Sequence, residues 1–178
     1  MSLLETADVK AGNNQLLEQQ LGWLGPLVVC ALPALATSWC LSILLFPWIV
    51  HQGWVWTSTG IMLFFSHVCH QDSARSLGWL GVAFPVCARC LGLYVGGWLG
   101  MGCSIALGKA RIWEQTLVKL ILLSSCLLLL DVVLDGFNFR SNTIHSRALT
   151  GGMLGASGAF YAMRAALRLA GRAEIRST

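Results

Sequence analysis

Polar and apolar positions alternate in long blocks along this chain. From Leu21 to Val50 there is no charged residue, and Pro26, Pro33 and Pro47 lie near the ends of the run. A hydrocarbon core of about 30 Å takes roughly 20 apolar residues in a helix, so one membrane span fits inside this stretch. Three more can be drawn: Val86 to Leu107, Thr116 to Gly136 and Ala148 to Leu169. A fifth run, Trp54 to Ser66, is apolar but too short to cross. It predicts an interfacial or re-entrant helix around residues 54–69. The expected fold is all-α: an integral membrane bundle of four transmembrane helices plus that short helix. Residues 1–20 read as a polar tail, 21–170 as one transmembrane domain and 171–178 as a basic tail.

Composition sharpens this picture. Of the 178 residues, 56% are hydrophobic and 11% are charged. A soluble domain carries about 25% charged residues, so disorder and an ordinary soluble enzyme are excluded. The eight tryptophans suit membrane interfaces. Nine of the twelve basic residues are arginine, scattered or near the C-terminus, with no basic–aromatic block. Nucleic-acid binding is therefore not expected. The first apolar run is too long for a cleaved signal, and Glu5 and Asp8 precede it where such a signal carries basic residues.

Basic residues set the orientation. Lys109, Arg111 and Lys119 mark one loop, and Arg164, Arg168, Arg172 and Arg176 mark the tail. The positive-inside bias puts both in the cytoplasm of a plasma (inner) membrane protein, and four spans put the N-terminus there too. Gly92, Gly96 and Gly100 recur at four-residue spacing, as do Gly151 and Gly155. Such stripes let helices approach closely and serve packing, within the chain or in a homo-oligomer.

Under this topology the ionisable residues collect at the outer face. His67-Val68-Cys69-His70 precedes Cys87-Ala88-Arg89-Cys90 by sixteen residues. Two close ligand pairs at that separation resemble zinc-site spacing. Cys69, Cys87 and Cys90 with His67 or His70 would form a Cys3His set, and both histidines with Cys87 and Cys90 a Cys2His2 set. A redox or structural disulfide among the cysteines, or plain packing of small side chains, stays open. Cys30, Cys40, Cys103 and Cys126 lack ligand-like neighbours and read as packing residues. The seven cysteines in total do not suggest a secreted disulfide scaffold.

Asp131 and Asp135 lie four apart on one helical face. Charges at such depth need partners or a cavity. Arg147 is expected to reach one aspartate across a short connection, and Arg89 the other. If they are functional, the aspartates are candidate acid/base groups, and Arg89 and Arg147 are candidate anchors for an anionic group such as a lipid headgroup. Arg75 and Arg140 lie on the same side.

Cys69-His70-Gln71, then Arg75-Ser76, then Pro85-Val86-Cys87-Ala88-Arg89-Cys90-Leu91-Gly92-Leu93-Tyr94-Val95-Gly96 are similar to the signature of the membrane family called domain of unknown function 2085. Asp135-Gly136 and Arg147-Ala148-Leu149-Thr150-Gly151 resemble its later elements. The resemblance implies a prokaryotic-type multi-pass membrane protein and supplies no established activity. Three functions compete: a metal-dependent membrane protein acting on a lipid or headgroup, a thiol–disulfide redox protein using Cys87 and Cys90, and a small oligomeric transporter.

Overall fold

The computed structural model describes the backbone of residues 3–107, 114–137 and 143–177, and the side chains of 27–107, 115–137, 143–168 and 170. Lys109, Arg111, Arg140 and the side chains of Arg172 and Arg176, all weighed above, lie outside the described residues.

Five helices carry the fold: α1 (Leu3–His51), α2 (Val55–Ser66), α3 (Ala88–Ala106), α4 (Glu114–Gly136) and α5 (Ile144–Ser177). Between α2 and α3 lie a 3-10 turn, Ser73–Arg75, and a two-stranded antiparallel hairpin, β1 (Gly78–Trp79) and β2 (Val82–Ala83). α1 runs through Pro26, Pro33 and Pro47 without ending, and it includes residues 3–20, read above as a tail. Thr37 Oγ1 donates to the Pro33 carbonyl at 2.7 Å within the same helix.

Among the described residues, two segments are long and apolar enough to cross a membrane, Leu27–His51 and Gln115–Gly136. Only 11% and 17% of their most apolar windows are buried inside the protein, unlike the core helix of a soluble fold. α3 and α5, also expected as spans, are richer in glycine and are not among these candidates. α2 has twelve residues and covers about 18 Å at 1.5 Å per residue, well short of a hydrocarbon core. It folds back along α1 after a turn at Gly53, whose φ of 75° suits glycine. Trp48 meets Trp54 beside the turn, and Phe64 and Phe65 both stack edge-on against Trp39 with ring centroids 5.2 Å away.

α5 is the central element, with α1, α3 and α4 all packed against it. Its tightest contact is with α3. Gly92, Gly96 and Gly100 lie against the backbones of Ala148, Gly152 and Ala156 in turn, while Gly151 and Gly155 lie against the carbonyls of Arg89 and Leu93. Both partners advance together, so α3 and α5 run parallel. The two glycine stripes, which the sequence also offered to a second copy, are buried here against each other. α4 runs antiparallel to α5, tied by Ser124 to Ser157 at 3.0 Å and by contacts nearer the connecting end. α1 runs antiparallel to α3, with Trp98 Nε1 donating to Thr37 Oγ1 at 2.9 Å and Cys40 Sγ donating to the Tyr94 carbonyl at 3.6 Å.

Candidate functional site

The end of the bundle where α2, α3 and α5 meet the hairpin loop carries the polar chemistry. Phe65 ends the buried face of α2, and Cys69 lies four residues on, held by its backbone N–H to the Phe65 carbonyl at 2.9 Å. That one turn carries Cys69 into the core beside Ile43, Val86 and Leu91, with Trp39, Phe84 and Tyr94 packed around them. Cys87 sits at the N-cap of α3 and Cys90 in its first turn. The three sulfurs lie within 4.8 Å of one another. Cys87 N–H donates to Cys69 Sγ at 3.2 Å, joining the loop to the start of α3. Cys69 is buried and the other two are half-buried. All seven cysteines are free thiols.

The histidines of the same motif are placed differently. His67 lies two residues beyond Phe65, on the opposite side of the turn, exposed, with Nδ1 at 2.8 Å from the Leu63 carbonyl. His70 is exposed as well. Among the described residues, the group of metal-capable side chains is the three cysteines without either histidine.

Gln71 was quoted in the motif above without a role. Its Nε2 donates to the Met62 carbonyl at 2.7 Å and to the Pro85 carbonyl at 3.1 Å. It therefore ties the end of α2 to the segment that delivers Cys87, and its backbone has φ 51° to make the turn. Asp72 continues the loop by accepting from Ala74 N–H at 3.0 Å, and it pairs with exposed Arg75. Gln71→Leu is expected to cost about 0.5–1.5 kcal/mol per lost hydrogen bond, the net worth of such bonds where water can replace them. Thermal unfolding in detergent measures that loss. Faster maleimide labelling of buried Cys69 would report the loosened loop directly.

Behind the cysteines, Arg89 extends from α3 to Asp131 on α4. Arg147, near the start of α5, reaches Asp135 at 2.7 Å. Thr150 Oγ1 lies 3.5 Å from Asp131 and also bonds back to its own helix. Asp131 and Arg147 are both buried. Each aspartate thus holds an arginine from another helix, and the two pairs clamp α3, α4 and α5 together at this end. Buried charges at such positions need this kind of partner. A cleft of about 260 Å³ opens beside Asp131, lined by Leu127, Leu130, Leu134, Thr143, Ser146 and Thr150.

Membrane-length helices with largely unburied faces, joined to a bundle whose polar groups gather at one end, define the class as a helical membrane protein. The chain belongs to the family described as predicted membrane protein (DUF2085), whose model matches residues 69–161, from the first clustered cysteine to the middle of α5. The uncharacterized protein MJ1492 of Methanocaldococcus jannaschii is 38% identical over 66 residues, covering 34% of this chain and 42% of that relative. An uncharacterized protein of Methanothermobacter thermautotrophicus is 44% identical over 32 residues, covering 18% of this chain and 29% of that relative. The matches span less than half of either relative's length. No solved structure matches.

Proposed function

We propose that this chain is a multi-pass membrane protein that binds a metal ion through Cys69, Cys87 and Cys90 at one end of its helical bundle. The observation that carries the reading is the convergence of three sulfurs, from a loop and a helix start, to within 4.8 Å. Ligand bonds of about 2.3 Å around one ion would set the sulfurs roughly 3.8 Å apart, so sub-ångström adjustments close the site. Zinc is the ion that the sequence spacing suggests. α3 and α5 accompany the two apolar helices through the bilayer in this reading, since each hides its least lipid-like face against the other. α2 dips into the interface beside α1. The basic residues put the cysteine end outside the cytoplasm.

A metal held by thiolates also bears on the chemistry. Three anionic sulfurs leave the ion less able to polarise a bound water than the neutral imidazoles of hydrolytic zinc sites. The arginines proposed as headgroup anchors already hold Asp131 and Asp135. Holding or passing on the ion is therefore favoured over hydrolysis of a lipid. The free thiols of Cys87 and Cys90, at a helix start beside Cys69, support a second reading as a redox dithiol.

Metal content of the detergent-purified protein, with thiols counted under denaturing, metal-free conditions, separates the two. Metal near one ion per chain is expected, together with all seven thiols titrating. Cys69→Ser, Cys87→Ser or Cys90→Ser should each abolish retention. Cys103→Ser and Cys126→Ser, at exposed positions away from the cluster, should not. A metal-free protein with two thiols missing would overturn the metal reading in favour of the redox one.

A further inference from the structure

We infer that the three-cysteine site takes a monovalent thiophilic cation, Cu(I), in three-coordinate all-sulfur geometry, as an exchangeable ion. This inference rests on the metal-binding reading above and names its ion. It stands on the donor set, the wall around it and the access to it.

The donors are sulfur alone. Soft thiolates select Cu(I) and zinc, while imidazole and oxygen ligands widen the choice toward harder metals, so between the two ions the number of ligands decides. Zinc in a structural site takes four protein ligands, almost always tetrahedral. Among the described residues the group has three members, Cys69, Cys87 and Cys90. His67 is turned to the Leu63 carbonyl on its own helix, on the side of the turn opposite Phe65 and Cys69. Bringing it in would mean breaking that 2.8 Å contact.

The wall is apolar. Ile43, Phe65, Val86 and Leu91 are buried against Cys69, and Phe84, Trp39 and Tyr94 pack around them. Apart from the Tyr94 phenol, this wall offers no oxygen ligand, and it disfavours a hydrated divalent ion, which must shed more water than a monovalent one. A three-coordinate ion needs nothing from that side. The excess negative charge of a thiolate cage meets backbone N–H groups. Cys87 N–H donates to Cys69 Sγ at 3.2 Å, and the cluster sits at the N-terminal end of α3, where the helix dipole is positive.

The access is one-sided. Cys69 is sealed, whereas Cys87 and Cys90 are half-exposed. An ion can therefore enter and leave past those two sulfurs without unfolding the loop. Binding involves no electron transfer: each thiol that ligates loses its proton to solvent, and the ion remains Cu(I).

The test uses the full chain in detergent, reduced and under anaerobic conditions at neutral pH. Cu(I) is added against a bicinchoninate-type competitor and Zn(II) against a chromophoric chelator. Ag(I) serves as a monovalent probe that does not cycle. The expected result is one Cu(I) or Ag(I) per chain, held roughly a thousandfold more tightly than Zn(II), because three sulfurs complete the shell of the monovalent ion and leave zinc one protein ligand short. X-ray absorption of the Cu(I) form should show three sulfur neighbours and no nitrogen. His67→Ala and His70→Ala should leave Cu(I) retention unchanged. The inference is overturned, with metal binding intact, if Zn(II) is held as tightly as Cu(I). A nitrogen in the zinc shell, with retention lost in His67→Ala or His70→Ala, overturns it equally. If neither ion is retained beyond the level of a folded Cys69→Ser/Cys87→Ser/Cys90→Ser protein, the inference and the metal reading fail together.

Discussion

Replacing Gly96 by leucine is expected to separate α3 from α5 and cost about 3 kcal/mol or more, at or beyond the upper range for overpacking a closed core. A side chain at Gly96 would enter the Gly152 backbone, and backbone cannot rotate away as a flexible side chain can. Its neighbours in the stripe, Gly92 and Gly100, meet backbone in the same way, so the helices cannot slide by one turn to relieve the clash. Gly102 is the internal control. It lies on the same helix with nothing within 4 Å of an added Cβ. Gly102→Leu should be neutral or slightly stabilising, since leucine is the better helix former by roughly 0.5–1 kcal/mol. Tryptophan-fluorescence unfolding of the two variants in the same detergent reads the difference. Equal midpoints would mean that the α3–α5 contact does not carry the fold.

The second large effect is expected at Asp131. Asp131→Leu leaves the Arg89 guanidinium without this partner at a position only 25% exposed by its side chain. Removing one member of a buried pair costs about 3–5 kcal/mol, mostly because the remaining charge is stranded. Arg89 lies between Cys87 and Cys90 in sequence, so its displacement should also disturb the cysteine cluster and lower metal retention. The double replacement Asp131→Leu/Arg89→Met removes both charges and should recover most of the loss, because an apolar pair of similar volume is tolerated where an unpaired charge is not. Stability and metal retention are measured on the same four proteins of the double-mutant cycle. If the single and double variants lose the same amount, the pair is not coupled and the clamp at this end of the bundle lies elsewhere.

Hydropathy and spacing carried much of the outline. The absence of charge between Leu21 and Val50 and the leucine-rich run before Asp131 are properties of local sequence, and both became membrane-length helices. Trp54 to Ser66 was too short to span, and α2 is a twelve-residue helix folded back on α1. The spacing of Cys69 from Cys87 and Cys90 marked the cluster, because a cysteine pair one turn apart at a helix start must present both sulfurs nearby. Gln71 could not be assigned in advance. A glutamine followed by polar loop residues carries no sign that its amide will bridge two carbonyls, one nine positions before it and one fourteen after.

What the sequence determined by itself is local: which segments are helical and apolar, that the polar residues cluster in a few short motifs, and which family they resemble. Those properties follow from periodicity and composition, which need no knowledge of a neighbour. Tertiary structure decided the partners. It set Gly92, Gly96 and Gly100 against Ala148, Gly152 and Ala156, because only small residues on both faces allow the parallel backbones that close approach. It gave Asp131 to Arg89 and Asp135 to Arg147, a choice fixed by the register of α4 against α5. It also separated Cys69 from His67. With about 100° between successive helical residues, Phe65 and Cys69 share the inward side of the turn and His67 falls outward. Two residues of the same motif thus ended in opposite environments, since spacing in sequence fixes direction only once the packed face of the helix is known.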